Sequence, residues 1–183
     1  MFKMLENRLD KRTNLFTLFS RKYRQAKTIE HMMIDFIDIQ GNDRILEIGT
    51  GNGTLFKNIT EKLEKGSLKS IDPSKRKVRN ISRANRKNMG TGEIIHGYPE
   101  NIPFADRTFN KVFSLHTVQG CTELRLALRE IYRVLQIDGR FYIHIDTNTG
   151  GKENMYMQLL KEQHFRDLSV IRRDSCLLLV AAK

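Results

Sequence analysis

Tryptophan is absent from this chain, proline occurs three times and cysteine twice in 183 residues. Each scarcity excludes something. Two cysteines, Cys121 and Cys176, make no disulfide framework and, by themselves, no structural zinc site. No metal site is expected. Two of the prolines, Pro99 and Pro103, share one loop, and no Pro-, Gly- or Ser-rich stretch marks an interdomain linker. With neither internal repeats nor low-complexity tracts, residues 1–183 read as a single domain. No run of about 18 apolar residues exists, so no membrane span is expected. The opening MFKMLENRLDKR lacks the continuous apolar core of a secretory signal. A reducing cytoplasm is the expected compartment. Acidic residues are also short: 21 against 32 Lys and Arg, a formal charge of +11. That charge attracts nucleic acid, anionic surfaces or acidic substrates without choosing among them, and it also serves solubility.

From Asp43 onward, short apolar runs alternate with helical stretches. RILEIG (44–49), SLKSID (67–72), GEIIHG (92–97), KVFSLH (111–116) and RFYIHID (140–146) read as strands. Helices are predicted over 54–63, 75–87, 123–135 and 153–162. The third of these is amphipathic, with Leu124, Leu128, Ile131 and Leu135 on one face. Asp138-Gly139 is read as the turn into the fifth strand. DLSVIRR (167–173) and SCLLLVAA (175–182) surround a tight turn and read as an antiparallel pair. The alternation implies an α/β fold with a seven-stranded, mostly parallel sheet and an antiparallel C-terminal pair. Ahead of it, Thr28 is a candidate cap for a helix reaching Ile39 that packs on the sheet. Residues 1–27 read as an N-terminal arm or lid, and 28–183 as the core.

The stretch ILEIGTGNGTL (45–55) places three glycines at alternate positions after a buried strand. Glycine there lets the chain turn sharply and lets a ligand approach backbone N–H groups at a helix N-terminus. The dinucleotide fingerprint would want its third glycine at 54, where this chain has Thr54. Asp72 ends the second strand, where a carboxylate can accept hydrogen bonds from both hydroxyls of a ribose. Its structural alternative is a turn or cap ahead of the helix at Lys75.

ILEIGTGNG, SIDPS (70–74), HGYPENIPFADRTFNKVFSLHTV (96–118) and LREIYRVLQIDGRFYI (128–143) together resemble the four ordered motifs of the class I S-adenosylmethionine-dependent methyltransferases. They are similar to the group that includes the ubiquinone and menaquinone biosynthesis enzymes (methyltransferase type 11). The resemblance spans about residues 28–146 and implies a Rossmann-like three-layer sandwich. It also implies a cofactor, S-adenosyl-L-methionine, with S-adenosyl-L-homocysteine as product. By it, Glu47 with Gly49, Thr50, Gly51, Asn52 and Gly53 would hold the methionine part and Asp72 the ribose. Pro73 and Ser74, with the Tyr98–Glu100 turn that includes Pro99, would flank the adenine. Ser114 to His116 would line the floor near the methyl group. The chain departs from the pattern at Tyr98 and Asn110, where the family often has Asp, and at Ile137-Asp138-Gly139, where it often has Pro-Gly-Gly.

Methyl transfer requires mainly positioning, and a base only where the acceptor must lose a proton. His116 is the candidate base, with a strand-end His bonded to backbone as the structural alternative. Tyr23, Gln119, His144 and Asp146 are lesser candidates, and Cys121 reads as a buried thiol. A small molecule is the expected acceptor. RNA is the alternative, because seven of the thirteen residues in KRKVRNISRANRK (75–87) are basic. A binding module without chemistry, suggested by Tyr98, is the third reading. The stretch 147–154 is short, which leaves acceptor recognition to the N-terminal arm, the strand-end loops or a second copy in a homodimer.

Overall fold

Period-two side-chain alternation decides which residues of each strand meet which layer of helices. A computed structural model describes residues 29–88, 90–115, 117–146, 152–173 and 176–183. The arm 1–27, the cap candidate Thr28 and the base candidate His116 lie outside the described residues. Strands β1 (Arg44–Ile48), β2 (Ser67–Asp72), β3 (Gly92–His96), β4 (Phe109–Ser114), β5 (Leu135–Asp146), β6 (Arg166–Arg173) and β7 (Cys176–Ala182) form one sheet. Its order is β3-β2-β1-β4-β5-β7-β6. The first five strands are parallel where they pair, and β7 runs antiparallel to both β5 and β6. The order reverses between β1 and β4, which places the switch point at the carboxyl end of β1.

Helices α1 (Ile29–Ile37), α2 (Thr54–Thr60) and α3 (Lys75–Ala84) cover one face. Their Met33, Ile34, Ile37, Leu55, Phe56, Ile59 and Ile81 pack with Ile45, Leu68, Ile94 and Phe113 of the strands. Helices α4 (Leu124–Val134) and α5 (Lys152–Glu162) cover the other, where Leu128, Ile131, Val134, Tyr156 and Leu160 meet Leu46, Ile48, Val112, Phe141 and Ile143. The three layers follow, and each fully buried large apolar side chain contributes roughly 1.5–3 kcal/mol. Because β1 is covered on both faces, its sequence is nearly continuous hydrophobe, and Glu47 is the interruption.

Several element ends differ from the sequence reading. The helix expected to reach Leu63 stops at Thr60, whose hydroxyl bonds back to the carbonyls of Phe56 and Lys57, both at 2.8 Å. Leu63 is buried all the same. The helix expected to reach Lys87 stops at Ala84, and a 3₁₀ turn occupies Arg86–Asn88. Asp138-Gly139 does not precede β5 but bulges inside it. Leu135 already pairs with Phe109, pairing resumes at Arg140 with Lys111, and Asp138 takes φ 62°.

At the amino ends of the strands, buried Asp43 accepts from Lys111 Nζ and from Asn110 Nδ2, each at 2.6 Å. Asn110 Oδ1 in turn accepts from the Arg44 N–H at 2.8 Å. Asn110, one of the departures from the family pattern, is therefore a strand-joining residue. Arg133 of α4 holds the loop before β4 by donating to the carbonyls of Phe104 (2.8 Å) and Ile102 (2.9 Å).

Candidate functional site

Counting in twos from Ile45 puts Glu47 on the face covered by α1 and α2, and counting from Leu68 puts Ser70 and Asp72 on that same face. Glu47 is the register partner of Ser70. The result is two carboxylates buried side by side at the carboxyl end of the sheet, Glu47 at 1% and Asp72 at 3% exposure. The Ser70 hydroxyl donates to Glu47 Oε2 at 2.6 Å. Burial, against the lowering effect of that bond and with help from the charge of Asp72, pushes the Glu47 carboxyl up to about 8.

The loop after β1 explains its three glycines. Gly49, Gly51 and Gly53 have φ of 89°, 52° and 84°, the left-handed region that side chains disfavour. A Cβ on Gly49 would also overlap the Thr117 hydroxyl, so the loop after β4 seats Thr117 in the notch that Gly49 leaves. The Gly49 N–H donates to the Ile71 carbonyl at 2.8 Å and the Gly53 N–H to Thr50 O at 2.8 Å. Asn52 Oδ1 accepts from the Thr54 N–H at 2.9 Å, supplying the cap that Gly53 cannot. Asp72 ties the loops together: Oδ2 accepts from the Thr50 N–H (3.3 Å) and hydroxyl (3.2 Å), and Oδ1 from the Ser74 N–H (2.9 Å).

These groups border a cavity of about 320 Å³, lined by Glu30, Glu47, Gly49, Thr50, Gly51, Asn52, Leu55, Asp72, Lys77, Leu115 and Thr117. The structure thus brings together six of the residues singled out in the sequence. It sets Gly53, Pro73, Tyr98, Pro99 and Ser114 outside the lining. Beyond Asp72, Pro73 and Tyr98 are joined through His96. His96 Nε2 meets the Pro73 carbonyl at 3.1 Å, and its ring meets Tyr98 edge-on at 5.4 Å. Tyr98 is 51% exposed. Ser114 is buried and its hydroxyl accepts from the Val118 N–H at 3.2 Å, an anchor for the turn that follows.

Leu115 falls within the Ser114–His116 floor that the resemblance implied, whereas sequence reasoning missed Thr117, Lys77, Leu55 and Glu30. For Leu115 one signal was available: Phe113 pairs with Glu47, so Leu115, not Ser114, shares the Glu47 face. For Thr117 there was none, since its placement depends on the Gly49 notch. The lesser candidates separate from the cavity. His144 is buried with Nδ1 3.1 Å from the Leu115 carbonyl. Burial and the charge of Glu100 push the Cys121 thiol up to about 12, which leaves it inert at neutral pH. The side chains of Gln119 and Asp146, and all of Tyr23, lie outside what the structure describes.

The donor set suits a ligand with a cationic part and a polyol. Buried Glu47 offers a latent negative charge, Asp72 offers carboxylate oxygens, and the loop offers bare backbone between Leu55 and Leu115. The chain matches the family model described as "Methyltransferase domain" over residues 46–143. "Putative methyltransferase YrhH" of Bacillus subtilis (strain 168) is 81% identical over 180 residues, 98% of this chain and 100% of that one. Ubiquinone/menaquinone biosynthesis C-methyltransferase UbiE of Geotalea daltonii is 33% identical over 110 residues, 56% of this chain. The match covers 45% of that relative's length. Among solved structures, a SAM dependent methyltransferase from Aquifex aeolicus superposes with a TM-score of 0.76 at 18% identity, covering 84% of this chain and 89% of that one. At that identity the likeness is one of fold.

Proposed function

The chain belongs to the methyltransferase-domain family, and on that premise we propose that it transfers a methyl group from S-adenosylmethionine to a small-molecule acceptor. The observation that carries the reading is the pairing of buried Glu47 and Asp72 on one face of the sheet, at the switch point, beside three left-handed glycines. The cofactor, when bound, supplies an activated methyl group on a sulfonium, so the protein's share is placement and exclusion of water. Glu47 and the 49–53 loop would hold its methionine part and Asp72 its ribose, exchanging the Thr50 hydroxyl for a ribose hydroxyl. The rim formed by Pro73, Tyr98 and Pro99 would shelter the adenine, with aromatic contact in place of an Asp hydrogen bond. Leu55 and Leu115 would exclude water. Ser114 holds the turn that carries Thr117 to the cavity. His116, which follows Leu115, is the proposed base for acceptors that must lose a proton.

A small-molecule acceptor rests on the quinone-enzyme relatives, of whose length the match covers 45%. RNA is the second reading, favoured by α3. Lys75, Arg76, Lys77, Arg79, Arg83, Arg86 and Lys87 are all exposed, none forms an ion pair with a described residue, and Lys77 borders the cavity. Incubation of the purified chain and methyl-labelled cofactor with a metabolite extract, and separately with total RNA, decides between them. The proposal expects label in the small-molecule fraction. Label in RNA alone would transfer the case to the second reading, and label in neither would contradict transfer.

A further inference from the structure

The end of the sheet opposite the cofactor cavity carries its own concavity. It lies where β4, β5 and β6 begin and β7 ends, and it encloses about 620 Å³, within the range of small-ligand sites. Five cationic side chains, Arg107, Arg129, Arg133, Arg166 and Lys183, line it against one carboxylate, Asp106.

Three of these cations already have partners. Arg133 is committed to Glu130 and Asp106, both at 2.8 Å, and Arg166 to Asp138 at 2.6 Å. Lys183 Nζ is bonded to the carbonyls of Tyr132 (2.6 Å) and Leu135 (2.9 Å). It thereby neutralises the negative end of α4, which would otherwise repel an anion at this spot. Arg107 and Arg129 remain, both exposed and neither ion-paired with a described residue. Backbone strain also gathers here. Of the five non-glycine residues with positive φ among the described residues, Arg107 (52°) and His164 (66°) line the cleft. Asp138 (62°) holds Arg166, and Asp167 (50°) follows it. Such conformations persist where surrounding structure enforces them, and they concentrate at ligand sites.

We infer that this cleft binds a small phosphate-bearing anion, its phosphate held by Arg107 and Arg129. Guanidinium groups match phosphate oxygens in charge and geometry. An organic portion would rest against the Tyr132 ring and Ile137, a large apolar side chain left 62% exposed at the margin.

The test is calorimetric titration of the full chain with sodium tripolyphosphate and with ATP at 0.15 M salt, repeated on Arg129→Gln and Arg107→Asn. Asn tolerates the left-handed backbone at 107, and Arg129 lies on an exposed helix face, so both variants should melt as the parent does. If Arg107→Asn fails to fold, Arg129→Gln decides alone. Each substitution should weaken binding by about tenfold or more. Arg79→Gln on α3 should leave it unchanged, and S-adenosylmethionine binding should be the same in all four proteins. Tighter binding of ATP than of tripolyphosphate assigns an organic phosphate; equal binding assigns a bare polyphosphate. Absence of saturable binding of either, binding untouched by the cleft variants, or binding of poly(U) with neither small anion would overturn the inference.

Discussion

The two ends of this sheet solve opposite problems with the same strands. At the amino ends of β1 and β4, outside the lining of the cationic cleft, charge is paired and closed off: Asp43 with Lys111, each nearly buried, cross-linked through Asn110. At the carboxyl ends, charge is left incomplete. Glu47 and Asp72 are both acidic and both buried, and among the described residues that line the cavity the one cation is Lys77. Paired charge closes a fold, whereas of two carboxyl groups in one buried cleft Glu47 keeps its proton until a cationic ligand answers it. On the proposed reading, that contrast falls at the end where the cofactor would sit, independently of the glycine motif.

The comparison can be broken most forcefully at the amino end. Lys111→Met leaves Asp43 buried without its counter-ion and should cost about 3–5 kcal/mol, with S-adenosylmethionine affinity unchanged in the folded fraction. Chemical denaturation and calorimetry read the two quantities separately. Gly49→Ala should do the converse. It forces a Cβ into Thr117 at φ 89° and should cost about 2–4 kcal/mol and at least about 100-fold in cofactor affinity. Thr117→Gly in the same chain should recover part of the stability by removing the overlap, which thermal melts would show.

Proton linkage sharpens the contrast further. The Glu47 carboxyl is raised from 4.5 to about 8, so the unliganded fold is favoured below 4.5 and loses that contribution as pH rises through 8. A cationic ligand reverses the preference. Binding should release about one proton near pH 6, and affinity should climb between pH 5 and 8, as measured by calorimetry in buffers of different ionisation enthalpy. Glu47→Gln should abolish the release and raise the unliganded Tm at pH 8. The smallest effect belongs to the exposed Lys69–Glu93 pair (2.6 Å): Lys69→Ala should change stability by less than about 0.5 kcal/mol in denaturant melts.

The seven strands, their mostly parallel pairing and the acidic strand ends were legible because each follows from local pattern: period two in β1 and β2, period 3.6 in α4, glycine where φ is positive. Two features were not legible. The bulge at Ile137-Asp138-Gly139 looks like a turn from sequence, since nothing local says that Leu135 is already paired with Phe109. Thr117 enters the cavity through the missing side chain of Gly49, 68 positions away, a contact that spacing cannot show. Within the Ser114–His116 floor that the resemblance implied, the alternation set by Phe113 opposite Glu47 singles out Leu115 as the member that lines the cavity.

The measurement that bears most directly on the account is calorimetric binding of S-adenosylmethionine to the intact chain, with Asp72→Ala alongside. Micromolar binding by the parent and at least about a tenfold loss in the variant, whose Tm reports that it still folds, is the predicted result. Equal binding by both proteins would remove Asp72 from the site. No binding by the parent would contradict the cofactor assignment.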